Sequence, residues 1–178
     1  MIQELYQKAM KFAGEKHSNQ KVPGTNANYL LHISNVAMEV LTAYYSGNKF
    51  DINFAIQTAI LHDTIEDTTT DYNELKTEFG EQIATAVQAL TKDEKLPSKR
   101  ERMVDSLNRI NQLDNEVGLV KLADRIINLQ SPPGHWDDNK ISNYLEEAKM
   151  IAETLKDKNE YLINTLSLSK SPNPNWTK

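Results

Sequence analysis

A chain of 178 residues with 39 % hydrophobic and 25 % charged side chains has the make-up of one globular domain with a sizeable core. Its net charge of −5 argues against nucleic acid as the main partner, because phosphate backbones select basic surfaces. The absence of cysteine excludes thiolate catalysis, zinc-finger sites and disulfides.

Taken in chain order, helical periodicity dominates. Residues 2–17 put Leu5, Ala9, Phe12 and Ala13 on one stripe, with Lys8, Lys11, Glu15 and Lys16 interspersed, and predict a first helix rather than a leader's apolar region. SNQKVPGTNAN (18–28) reads as a loop by its Gly, Pro and Asn content. A second helix is expected over 30–45, ended by SGNK. A third is expected over 52–67, apolar nearly all round and therefore buried.

Asp71 and Glu74 suit the start of a short helix that stops at Gly80. EQIATAVQALTK (81–92) follows as a helix, and Pro97 with Ser98-x-x-Glu101 starts another that runs to about Leu113. Residues 116–129 are again helical, QSPPGHWDD (130–138) is a break, and 140–166 has the spacing of one long amphipathic helix. Residues 167–178 read as a flexible tail, docked through Trp176 if at all. No stretch approaches the ~20 apolar residues of a membrane span, so no membrane partner is expected and the cytoplasm is the default location. The expectation is an all-α, single-domain helical bundle over residues 1–166. A homo-oligomer is compatible with these features.

Four positions put metal-type ligands on otherwise apolar helix faces. His32 shares a stripe with Val36 and Val40, His62 and Asp63 with Ala55 and Ala59, and Asp124 with Val117 and Val120. Taken singly, each has an ordinary explanation as a hydrogen-bonded core histidine or a paired or capping aspartate. Together, two imidazoles and two carboxylates from three helices offset one another's burial cost only around a cation. With nitrogen and oxygen donors and no sulfur, Mn²⁺, Fe²⁺ or Zn²⁺ suits such a site better than Ca²⁺ or Mg²⁺.

Glu66 and Asp67 follow one turn later. Spacing leaves two readings open: solvated acids at a helix end, or a general acid/base pair beside a water activated by the ion. Between residues 92 and 102, Lys92, Lys95, Lys99, Arg100 and Arg102 outnumber three acids. That segment is either a solvated helix start or a neutralising surface for an anionic substrate. His17 and His135 sit at element edges and read as surface or substrate-loop positions.

The order of these motifs resembles the HD phosphohydrolase superfamily: LLH with His32, LHDTIEDT with His62, Asp63, Glu66 and Asp67, and VKLADRIINL with Asp124. More narrowly, HDT-[IV]-EDT and KLAD-x-x-x-NL resemble the hydrolase domain of the Rel/SpoT alarmone enzymes. The chain is most similar to the stand-alone small alarmone hydrolases, from about residue 5 to 165, with EFG (78–80) and GHWDD (134–138) in register.

The resemblance implies an HD-type bundle that removes the 3′-pyrophosphate of ppGpp or pppGpp. It implies Mn²⁺ on His32, His62, Asp63 and Asp124, with Glu66 and Asp67 serving the hydrolytic water. Substrate contacts are then expected at Tyr29 and Asn128, at Lys121 on the same helix face as Asp124, and at Lys92 and Lys99 for the phosphates. With no room for the family's synthetase domain, the chain is expected to be monofunctional. At one position it departs. Where the family has a basic pair whose arginine packs on guanine, this chain has Lys21-Val22, and lysine lacks the planar guanidinium that stacks on a base. The other readings left open are an HD hydrolase acting on another nucleotide or phosphomonoester, and an inactive nucleotide-binding module.

Overall fold

The computed structural model describes residues 1–47, 49–129 and 136–169. Among them are ten helical segments: α1 (Ile2–Lys16), α2 (Leu30–Tyr45), α3 (Ile52–Leu61), α4 (Thr64–Asp67), α5 (Tyr72–Phe79), α6 (Glu81–Leu90), α7 (Lys99–Asn111), α8 (Asn115–Asn128), α9 (Asp138–Thr154) and α10 (Glu160–Ser169). The described residues form no sheet; one isolated bridge, Lys21 to Asn28, ties the α1–α2 loop across itself.

Two helices make the centre of the bundle, one almost wholly apolar and one whose polar stripe of Lys121, Asp124 and Arg125 is buried with it. α3 buries Phe54, Ala55, Ile56, Thr58, Ala59, Ile60 and Leu61, and α8 buries every residue from Val117 to Ile126. α1 and α2 pack on α3, while α2, α7 and α10 pack on α8. Side chains cap the starts as the sequence indicates. Asp51 accepts from the amides of Asn53 and Phe54 at 2.9 and 3.1 Å, Asp71 accepts from Glu74, and Ser98 with Glu101 closes a reciprocal box.

The continuous helices expected over 52–67 and 140–166 are each two. Thr64 turns its hydroxyl back onto the Leu61 carbonyl at 2.7 Å, and the chain bends at His62 and Asp63 before α4. At the second break Leu155 is buried in a turn, and the buried Asn159 starts α10 by accepting from the Leu162 amide at 3.0 Å. The apolar period carries across both breaks, so spacing gave no sign of them. α10 also runs to Ser169, past the expected boundary at 166. Residues 170–178, with Trp176, lie outside the described residues, as does His135.

Two positions carry stability predictions. Gly80 joins α5 to α6 with φ +90° and ψ 165°, a region essentially reserved for glycine. Gly80→Ala is therefore expected to lower unfolding free energy by about 1–3 kcal/mol in urea titration. Glu39 on α2 has a buried Oε1 with no hydrogen-bond partner among the described residues, and burial raises its pKa. A folded-state pKa above the unfolded one favours folding at low pH, and that gain is lost as pH rises through the raised value. Glu39→Gln should raise the melting temperature at pH 7 and leave it nearly unchanged at pH 4.

Candidate metal centre

The bend after α3 gives the centre its shape. It ends the regular 100° progression at Leu61, so His62 and Asp63 turn to one side together, and α4 then carries Glu66 and Asp67 on adjacent positions about 100° apart. α2 supplies His32 and α8 supplies Asp124 from the facing side.

The ligand-type atoms converge. His32 Nε2 lies 3.4 Å from His62 Nε2 and 3.5 Å from Asp124 Oδ1, and His62 Nε2 lies 3.8 Å from the same oxygen. Asp63 Oδ2 completes the set at 3.0 Å from His62 Nε2 and 3.7 Å from His32 Nε2. Two ligands about 2.1 Å from one ion stand ~3.0 Å apart at 90° and ~3.6 Å apart at 120°. The observed spacings fall close to that range. His32, His62 and Asp124 are all buried.

The surrounding hydrogen bonds prepare these atoms as ligands. His62 Nδ1 faces the Ala59 carbonyl at 2.7 Å; donating there leaves the Nε2 lone pair directed at the cluster. Tyr29 donates its hydroxyl to Asp63 Oδ2 at 2.5 Å. Asn128 Nδ2 donates to Asp124 Oδ1 at 2.5 Å, and Lys121 Nζ to Asp124 Oδ2 at 3.2 Å. Among the described residues, Lys121 is the only lysine or arginine paired with either carboxylate. A divalent cation therefore fits this donor set.

The electrostatics agree. Burial opposes protonation of His62, but Asp63 and Asp124 outweigh it and raise its pKa well above the ordinary imidazole value. Burial would raise the pKa of Asp63 and Asp124 too. His62 outweighs it at Asp63, and Lys121, with the two histidines, outweighs it at Asp124; both carboxyls are held below the usual range. The arrangement holds positive charge at the point where the four groups meet, as a proton or as a metal ion.

Two cavities flank the centre. One of 460 Å³ is lined by Val22, Pro23, Leu31, His32, Asn128 and Tyr144, among others. The other, of 410 Å³, is bordered by Trp136 and by Lys92, Lys99, Arg102 and Lys140 against Glu66, Glu94 and Glu147, a small excess of positive charge. Trp136 and Tyr144 line both, edge to face at 5.0 Å between ring centroids. Arg125 lies under the Tyr144 ring at 4.1 Å and reaches Glu147 at 3.3 Å. Burial pushes the Tyr144 phenol up to about 12.

Glu66 and Asp67 have different partners. Glu66 accepts from both the Lys92 amide (3.1 Å) and its Nζ (2.8 Å), while Asp67 Oδ2 accepts from Gln20 Nε2 at 2.8 Å. Burial raises the Asp67 pKa despite the Gln20 bond, with the charges of Asp63 and Glu66 adding to it. Burial would lower the Lys92 pKa, but Glu66 outweighs it and raises it.

The structure thus brings His32, His62, Asp63 and Asp124 together and sets Tyr29, Lys121 and Asn128 on their carboxylates. Lys92 and Lys99 line the basic cavity. Lys21 is exposed and lines neither cavity; its neighbour Val22 does. His17 is a correction, for it is 1 % exposed and not a surface residue. Gln20, Trp136 and Tyr144 were not singled out, because a polar loop residue and scattered aromatics carry no periodic signal.

An all-helical bundle with histidines and aspartates from three helices meeting beside two cavities is the arrangement of a metal-type hydrolase centre. The family model for the HD domain matches residues 9–155. The guanosine-3′,5′-bis(diphosphate) 3′-pyrophosphohydrolase MESH1 of Danio rerio is 35 % identical over 155 residues, which cover 84 % of this chain and 83 % of that protein. The guanosine-3′,5′-bis(diphosphate) 3′-pyrophosphohydrolase of Aquifex aeolicus is 38 % identical over 130 residues, 72 % of this chain but 18 % of that longer protein. A solved structure of a metazoan ortholog of SpoT that hydrolyses ppGpp superposes with a TM-score of 0.79 at 24 % identity, covering 93 % of both chains. The chain belongs to the HD-domain family, among its small stand-alone hydrolases of the MESH1 kind.

Proposed function

We propose that the protein is a metal-dependent guanosine-3′,5′-bis(diphosphate) 3′-pyrophosphohydrolase, which converts ppGpp or pppGpp to GDP or GTP and releases pyrophosphate. The observation that carries this reading is the convergence of His32, His62, Asp63 and Asp124 beside one cavity that carries Lys92, Lys99, Arg102 and Lys140 and another whose lining has no lysine, arginine or carboxylate. Kinship over most of the chain with enzymes named for that reaction supports it.

Two imidazoles and two carboxylates suit Mn²⁺, Fe²⁺ or Zn²⁺, and the resemblance to the Rel/SpoT hydrolase domain leads us to assign Mn²⁺ first. When bound, the ion supplies Lewis-acid charge to a phosphoryl oxygen and acidifies water. The residues of the chain do the rest. Tyr29, Lys121 and Asn128 hold the two carboxylates in position. Lys92, Lys99 and Arg102 screen the pyrophosphate in the 410 Å³ cavity, with Glu66 holding Lys92 in place. The nucleoside occupies the 460 Å³ cavity. Asp67 takes the proton of the attacking water. Attack at the phosphorus next to the ribose breaks its bond to the 3′-oxygen, which gains a proton, and pyrophosphate leaves intact.

The test is turnover of ppGpp, pppGpp, the adenine counterpart and simple phosphomonoesters, before and after chelation and with Mn²⁺ restored. Guanosine tetraphosphate should be preferred and its turnover should need the metal. Preference for a phosphomonoester would move the assignment to another HD chemistry. Lys21→Arg is expected to change KM for ppGpp by less than about twofold, because Val22 and not Lys21 lines the cavity. Kinetics on the purified variant check this.

A further inference from the structure

We infer that His17 and Gln20 are positioning residues that orient the Asp67 carboxylate, an inference that rests on the role proposed above for Asp67. His17 is buried, and neither cavity nor the ligand cluster includes it. Its Nδ1 lies 2.6 Å from Gln20 Oε1, and Gln20 Nε2 lies 2.8 Å from Asp67 Oδ2. The main chain fixes the link at both ends: the Gln20 amide donates to the His17 carbonyl and the Gln20 carbonyl accepts from the Tyr29 amide, each at 3.0 Å.

The polarity of this chain is set from its far end. An ionised Asp67 only accepts, so Gln20 must offer its NH₂ there and its carbonyl to His17. His17 must then donate from Nδ1. Its Nε2 is buried without a partner among the described residues, which an imidazole tolerates as a lone pair but not as an N–H, whose burial unpartnered is costly. The orphan atom and the two bonds select one tautomer and one amide orientation.

A second contact ties the same ring to the metal centre. The His17 ring lies 5.0 Å from that of Tyr29 with 31° between planes, and the Tyr29 hydroxyl donates to Asp63. His17 therefore bridges α1 to both Asp63 and Asp67. Without Gln20, Asp67 keeps its position in α4 but loses its one side-chain hydrogen-bond partner among the described residues and can rotate away from the attacking water.

The experiment combines kinetics with nitrogen-15 NMR of the imidazoles in the full chain. Gln20→Met cuts the link at a partly exposed site, and His17→Phe keeps a ring against Tyr29 but removes the donor. His17→Asn restores an N–H near the Nδ1 position. With ppGpp and Mn²⁺, Gln20→Met and His17→Phe are each expected to lower kcat ~10-fold with KM unchanged, and His17→Asn to recover part of it. In an Asp67→Asn background, Gln20→Met should cost nothing further. The wild-type spectrum should show the Nδ1–H tautomer of His17, a preference that Gln20→Met loses. Unchanged kcat in both single variants, an equal additional loss in the Asp67→Asn background, or a His17 protonated on Nε2 would each overturn the inference. Were the wild type inactive on ppGpp, the proposed function would fall separately, and the tautomer would still decide whether the relay exists.

Discussion

Asp67→Asn is expected to retain the metal while losing ~10²–10⁴-fold in kcat, the usual range for removing a group that handles a proton in the transition state, and Glu66→Gln to retain the metal with a smaller loss. Both substitutions keep shape and neither residue belongs to the buried His32–His62–Asp124 cluster. The two losses should differ in kind. Asp67 lines neither cavity, so its amide variant should lower kcat with little effect on KM. Glu66 is tied to Lys92 at 2.8 Å on the wall of the basic cavity, so its variant should also alter KM for ppGpp. Steady-state kinetics on metal-loaded protein measure both; full turnover in each single variant and in the double would reduce the pair to structural acids.

The second large effect is expected at the ligands. His62→Ala and Asp63→Ala should abolish metal retention in elemental analysis of protein purified without chelator. Removing His62 leaves the Asp63 and Asp124 carboxylates close together with Lys121 as their one lysine or arginine partner among the described residues. An uncompensated buried charge of this kind costs about 3–5 kcal/mol, so melting temperature should fall with it. Metal content and melting unchanged in both variants would contradict the site.

Much of this was legible in the sequence because it is periodic. The helix faces of α2, α3 and α8 follow from spacing, and His32, His62 and Asp124 stand out as ligand-type residues on them. The bend at His62 and Asp63 was not legible, since Thr64 and Ile65 continue the apolar period. Yet that bend sets α4, with Glu66 and Asp67, on a new course from α3. Spacing puts Lys121 and Asn128 on the face of Asp124, and the folded chain engages both, and Tyr29, with a carboxylate of the cluster. His17 looked like an edge residue because a helix end is usually wet. Here the α1–α2 loop folds over it, through the bridge between Lys21 and Asn28, and that contact is visible only in three dimensions.

The central claim is that this centre cleaves the bond between the 3′-oxygen and its pyrophosphate. Phosphorus NMR of ppGpp incubated with Mn²⁺-loaded protein tests it most directly. The account predicts GDP and intact pyrophosphate appearing together in equal amounts, and no reaction after chelation. Orthophosphate released stepwise, or products that form equally well without metal, would contradict it.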